Sequence, residues 1–197
     1  MASERSFSAR AKDEMCRRQP ARDCCAEAEC YGALLFAREF SASEIRLVTE
    51  HERFADRFCT LVERVFGVRL DRALSEKTGK ITLAASGGDA GRIYAHFGHE
   101  EGLSPAIHLN NVHVEEDHCR EAFIRGVFLS AGSISDPEKN YHLEIVTRHY
   151  NLSREVVALL LDMELRPKTA VRKSNYIIYF KDSGEIEDFL TDRKSVV

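Results

Sequence analysis

The sequence predicts an α+β fold made of two pseudo-symmetric αββαββα repeats. Three observations carry this expectation. Short alternating apolar runs at 45–49 and 143–147 lie 98 positions apart. Gly32 and Gly126, each inside an apolar helical stretch, lie 94 apart. The order of elements around each glycine is the same: helix, two strands, helix, two strands, helix. A longer first hairpin in the second copy, around Asp136-Pro137-Glu138-Lys139, accounts for the difference between the two offsets.

Each element has its own signal. Residues 6–18 read as a short basic helix, interrupted by Pro20. A second helix is expected over 22–37, capped near Asp23. Residues 45–49 alternate like a half-buried strand. Phe54, Phe58, Leu61, Val62 and Val65 recur at helical spacing until Gly67 stops the helix. Residues 68–70 and 81–83 read as strands joined around Thr78-Gly79, and 89–97 as a short helix. A polar stretch with Gly98, Gly102 and Pro105 follows. The second copy opens with a helix over 119–131, ended by Gly132. Ser133-Ile134 and 143–147 are strands about a turn at Asp136-Pro137. Val156, Val157, Leu160 and Leu161 make an amphipathic helix, and 168–172 with 176–180 a hairpin around Ser174-Asn175. Ser183 is expected to cap a last helix holding Ile186, Phe189 and Leu190. The domain reading is an N-terminal basic helix at 1–21, repeat 1 at 22–97, a linker at 98–117, repeat 2 at 118–191 and a non-native tail at 192–197.

Composition narrows the functional classes. Hydrophobic residues are 44% and charged residues 30% of the 197, an ordinary globular balance. The net charge of −4 is less basic than that of a free-standing nucleic-acid binder. No run of 18 apolar residues exists, and the polar start at Met1-Ala2-Ser3-Glu4-Arg5 lacks a signal-peptide core. A cytoplasmic protein with reduced cysteines is expected, with no membrane partner.

The six cysteines are Cys16, Cys24, Cys25, Cys30, Cys59 and Cys119. No pair has the spacing of a zinc knuckle, and adjacent Cys24 and Cys25 are poorly disposed to share one ion. His118-Cys119 and the histidines His96, His99, His108 and His113 match no template either. Cysteines acting as small buried apolar residues are expected, with no metal and no cofactor.

Ala28 and Gly32, and Ala122, Gly126 and Ser130, form small-residue stripes at a spacing of four. Glycine inside a helix costs about 1 kcal/mol relative to alanine, so its use at equivalent places points to close helix packing by Gly32 and Gly126.

The run Phe123-Ile124-Arg125-Gly126-Val127-Phe128-Leu129-Ser130-Ala131-Gly132-Ser133-Ile134 resembles the signature helix of the LAGLIDADG homing endonucleases. Cys30-Tyr31-Gly32-Ala33-Leu34-Leu35-Phe36-Ala37 is a weaker match at the first position. The resemblance implies two such helices packed at a pseudo-twofold axis, with two antiparallel sheets forming a saddle over DNA. A closer resemblance covers nearly the whole chain. Ser6-Phe7-Ser8, Asp23-Cys24-Cys25-Ala26-Glu27-Ala28-Glu29, Arg125-Gly126-Val127-Phe128-Leu129 and Asp136-Pro137-Glu138-Lys139 with Tyr141-His142-Leu143-Glu144-Ile145 are similar to the WhiA family. This implies a bacterial sporulation and cell-division transcription regulator with a degenerate LAGLIDADG part, nucleoid-associated, followed by a helix-turn-helix domain that carries most DNA recognition. Protein co-regulators are further expected partners.

No enzyme is expected. Cleavage of a phosphodiester by this family needs an acid just before the last glycine of the signature, to hold divalent metal. Alignment on Gly32 and Gly126 places Ala37 and Ala131 there, and alanine binds no cation. Glu39 and Asp136 are nearby acids, but neither has the right offset in both copies. DNA contact, if this part makes it, is assigned to Arg46 on a first-repeat strand and to Arg166, Lys168, Arg172 and Lys173 around the second-repeat hairpin. The alternative is a protein-interaction scaffold without DNA binding of its own, favoured by the charge of −4. The last six residues, Asp192-Arg193-Lys194-Ser195-Val196-Val197, leave the family pattern and can be encoded by GATCGGAAGAGCGTCGTG, the start of a common sequencing adapter. The natural frame is therefore expected to continue where the family continues, into the helix-turn-helix domain.

Overall fold

The computed structural model describes residues 6–100, 102, 106–136 and 141–191. The elements are α1 (Phe7–Arg17), α2 (Asp23–Leu35), β1 (Glu39–Phe40), β2 (Glu44–Thr49), α3 (Glu52–Phe66), β3 (Asp71–Leu74), β4 (Ile81–Ser86), α4 (Gly87–His96), a 3-10 turn (Asn111–Val114), α5 (Asp117–Ala131), β5 (Gly132–Ile134), β6 (Leu143–Thr147), α6 (Tyr150–Asp162), β7 (Lys168–Arg172), β8 (Asn175–Phe180) and α7 (Ser183–Thr191). From α2 onward the order αββαββα occurs twice. Each copy folds its strands into one antiparallel four-stranded sheet, β1-β2-β4-β3 and β5-β6-β8-β7, so equivalent strands hold equivalent places. The described residues group into two compact units, one built on 12–100 and 110–130, the other on 6–11, 106–109 and 131–191.

The first unit is organised by α2, buried along most of its length, and α5, buried over 122–129 apart from half-buried Arg125. Tyr31, Leu34, Phe123 and Phe128 are wholly enclosed. The two backbones touch. A Cβ built on Gly32 would lie 2.1 Å from the Phe123 carbonyl oxygen, and one built on Gly126 would lie 2.1 Å from that of Glu29. Beside this crossing Glu29 is buried at 1% exposure. Its carboxylate accepts from Arg57 Nη2 at 2.8 Å and from Arg125 Nη1 at 3.4 Å. A carboxylate so enclosed needs such partners, because burying it unpaired would cost several kcal/mol. Arg57 is brought there by α3, which starts where His51 Nδ1 accepts from the Phe54 amide and ends at Gly67, φ 65°. The apolar side of α3, with Phe54, Phe58, Leu61 and Val62, is buried, as are Ile45, Leu47, Ile81 and Leu83 of the sheet.

In the second unit α6 buries Leu152, Val156, Leu159 and Leu160, and the sheet buries Leu143, Ile145, Ile178 and Phe180. The β7–β8 turn is Lys173-Ser174, with φ of 49° and 62°. Positive φ at both central residues is the geometry that matches strand twist in a two-residue hairpin.

Several elements differ from expectation. Residues 68–70 are not a strand: Val68 is buried in a connection, and the strand is the wholly exposed β3. The two-residue β1 had no sequence signal. Asp23 is the first residue of α2, whose N-cap is Arg22 with no side-chain bond. The cap of α7 is Asp182, whose Oδ1 accepts from the Gly184 amide at 2.9 Å and that of Glu185 at 3.2 Å, and Ser183 is already helical. Leu161 is 53% exposed. The stretch 98–117 contains the 3-10 turn, where Val114 is buried. Arg5, the residues after Asp136 in the expected turn, and the tail 192–197 lie outside the described residues.

Candidate functional site

Each sheet has one face buried by helices and one open face, and alternation decides which side chains reach the open one. In the first sheet the register Glu39↔Arg46, Arg46↔Ala84 and Asp71↔Ala84 makes one row across the open side. Glu44 shares that side, two residues before Arg46. Arg46 donates its Nε to Glu44 Oε1 at 2.8 Å, and this hydrogen bond, with the carboxylate's charge, raises the guanidinium pKa further. Glu44 and Glu39 thus flank one guanidinium that is already paired, and Asp71 adds a third carboxylate two strands along the same row.

The second sheet is different. Its open side carries the row Ser133↔Glu144, Glu144↔Tyr179, Lys168↔Tyr179. Arg172, four residues from Lys168 along β7, shares the side and reaches Glu144 Oε1 at 3.2 Å. Lys181 Nζ lies 5.5 Å from the Tyr179 ring centroid, and the His142 ring 5.7 Å from it. Lys173 stands in the exposed hairpin turn and Arg166 in the exposed connection before β7. The structure therefore gathers Lys168, Arg172 and Lys173 on one exposed hairpin, puts Arg166 just before it and Arg46 on the other sheet. Lys181 and His142 were not singled out from sequence. Their signal was available, since each continues the open-face alternation of its strand by one residue.

Ala37 follows α2, and Ala131 is the last residue of α5. Neither offers a metal ligand. Glu39 is exposed on β1, opposite Arg46.

The structure also brings together residues whose spacing matched no metal template. Cys24, Cys25, His118 and Cys119 each present one ligand atom, all within 4.8 Å of one another. His118 Nδ1 is 3.4 Å from Cys25 Sγ and 3.2 Å from Cys119 Sγ, and its Nε2 is 2.8 Å from Arg22 Nη1. Cys25 and Cys119 are buried, as expected of apolar thiols, but Cys24 is exposed. Burial, with the neighbouring thiols, pushes the Cys119 thiol up to about 12. Glu27, His96 and His113 form a second group, with His113 Nδ1 2.7 Å and His96 Nε2 3.3 Å from Glu27 Oε1. His99 and His108 pair instead with the Tyr31 hydroxyl and Glu155.

No helix among the described residues is long and apolar enough to cross a membrane. A family model described as the WhiA LAGLIDADG-like domain matches residues 120–194. The chain is 34% identical over 200 residues to the probable cell division protein WhiA of Ruminiclostridium cellulolyticum, covering 94% of this chain and 62% of that one. Its fold is similar to full-length WhiA from Thermatoga maritima, with a TM-score of 0.76 at 18% identity over 98% of this chain and 63% of that one. The homing endonuclease I-DmoI, in complex with DNA and Mn, shares the fold with a TM-score of 0.62 at 12% identity, covering 89% of this chain and all of that one. The chain spans less than two thirds of the length of these WhiA proteins. These matches, which take in nearly the whole of the chain, make it a member of the WhiA family, of which it carries the LAGLIDADG-like part.

Proposed function

We propose that the chain is the non-catalytic LAGLIDADG-like part of a DNA-binding transcription regulator of bacterial cell division and sporulation. In this reading the open face of the second sheet meets the DNA backbone, and a helix-turn-helix domain supplies most of the sequence readout. The carrying observation is the set Lys168, Arg172, Lys173 and Lys181 on and beside one exposed hairpin, with Tyr179 next to Lys168 and Lys181 and Glu144 as the acid on the row. Lysine and arginine aimed at phosphates supply sequence-independent affinity, and a ring among them packs on sugars or bases. Ala37 and Ala131 at the acid positions support binding without cleavage.

The test is a titration of the 197-residue chain against fluorescent duplexes at two salt concentrations. Non-specific binding with Kd on the order of 10⁻⁴–10⁻⁶ M at physiological salt is expected. Replacing Lys168 and Arg172 together by Ala should weaken it equally on unrelated sequences, with the log–log salt slope falling by about 0.9 per lost phosphate contact. Supercoiled plasmid should stay intact with magnesium or manganese. Nanomolar binding to one sequence would give readout to this part of the protein, and metal-dependent nicking would make it an enzyme.

A second reading is a protein-docking scaffold. It is favoured by a groove of about 560 Å³ between α6 and β7–β8, where Tyr150, Leu161 and Val171 are exposed. Absence of any salt-dependent DNA binding would favour it.

A further inference from the structure

Helices α2 and α5 begin alike. Each has aspartate as its first residue, Asp23 and Asp117, and a pair of metal-ligating side chains in the next two positions. Cys24 and His118 lie 94 apart, as do Cys25 and Cys119, the same offset that relates Gly32 to Gly126. The internal duplication therefore puts two ligands on each helix at equivalent positions, and packing of the helices along the glycine crossing brings the four donors to one point.

We propose that Cys24, Cys25, His118 and Cys119 bind a structural zinc ion at the joined N-terminal ends of α2 and α5. The distances suit it. A tetrahedron with Zn–S of about 2.3 Å and Zn–N of about 2.0–2.1 Å has edges of about 3.5 Å between sulfur and nitrogen and about 3.8 Å between sulfurs. The two Sγ–Nδ1 separations are 3.2 and 3.4 Å, and no pair of the four donors is more than 4.8 Å apart. Apolar packing does not explain the arrangement, because Cys24 is exposed and three sulfurs converge on a ring nitrogen. Three sulfurs and an imidazole select a soft or borderline ion over magnesium or calcium, and four protein ligands leave no open position for catalysis. On binding, the three thiol protons leave to solvent and the ion takes their place. His118 then gives the Nδ1 lone pair to zinc and carries its proton on Nε2, so the exposed Arg22 guanidinium moves away from that nitrogen. The resulting centre has one net negative charge, which the dipoles of two helix N-termini stabilise. The ion fastens together the starts of two helices far apart in the chain.

Metal analysis of the untagged full chain, purified under reducing conditions, should find one zinc per chain. The chain stripped of metal and titrated with cobalt(II) should show the visible bands of tetrahedral cobalt with a thiolate charge-transfer band. Cys24→Ser, at an exposed position, should keep the parent's circular dichroism and lose zinc affinity by at least tenfold in competition with a chromophoric chelator. Cys59→Ser and His96→Ala should leave affinity unchanged, since neither residue belongs to the cluster. The proposal is overturned by absence of the cobalt–thiolate band in reduced protein, by a folded Cys24→Ser that keeps parental affinity, or by zinc lost through His96→Ala instead. A disulfide within the cluster that, once reduced, yields no cobalt binding also overturns it.

Discussion

Gly32 and Gly126 block each other reciprocally. A methyl group on either would lie 2.1 Å from a carbonyl oxygen three residues before the other, Phe123 for Gly32 and Glu29 for Gly126. Backbone cannot swing aside as the end of a flexible side chain can, so the two helices would have to separate. Gly126→Leu should destabilise the chain by about 1–3 kcal/mol or more. The check is a thermal melt, in which a shift of roughly 2–4 °C per kcal/mol is expected at this size. A curve superimposing on the parent's would contradict the close crossing.

Arg57 should be among the costliest side chains to truncate. It holds the carboxylate of buried Glu29 and also donates to the Cys16 carbonyl at 3.1 Å. Arg57→Ala leaves that carboxylate with Arg125 alone, at 3.4 Å. Removing one partner of a buried ion pair costs about 3–5 kcal/mol. Urea unfolding of Arg57→Ala should show it, while Arg69→Ala, at an exposed pair with Glu63, should cost less than about 1 kcal/mol.

Lys12 should give the chain a rise in stability with alkaline pH. Burial lowers its ammonium from 10.5 to about 8, although its Nζ donates to the Leu129 carbonyl at 3.0 Å. The unfolded chain holds this proton up to about 10.5 and the folded chain releases it near 8. The unfolded state therefore binds more protons in that window, and stability rises with pH across it. The contribution is on the order of 1–3 kcal/mol. Denaturation midpoints of the parent and Lys12→Met should converge or cross as pH climbs through the window, and a constant difference would refute the assignment.

Charge on the second sheet's open face sets the expected response to single changes. Glu144→Gln removes the acid of the row and frees Arg172, so it should tighten duplex binding and steepen the salt slope. Arg46→Ala should change affinity less than twofold, because Glu44 already holds that guanidinium. Anisotropy titrations of both variants at two salt concentrations provide the comparison. Equal losses from Arg46→Ala and from Lys168→Ala would spread the contact over both sheets.

The sequence by itself determined the duplication, the order of elements and the helix stops, because these rest on local patterns. Gly67 ends α3 through a left-handed φ that any reader of helix termini expects, and the 94-residue offset is visible without coordinates. Exposed edges were harder. Val68-Arg69-Leu70 alternates like a strand, yet pairing with β4 selects exposed Asp71–Leu74, whose polar pattern carries no such signal. Only the tertiary structure decided which basic residues stand free and which thiols meet. Arg46 and Lys168 look equivalent in sequence, and the fold puts one beside Glu44 and Glu39 and the other beside a tyrosine. Spacing rules for metal sites assume that a short loop brings the ligands together. Here Cys24-Cys25 and His118-Cys119 are joined by the crossing of two helices, a contact set by side-chain size at Gly32 and Gly126 and by no local spacing.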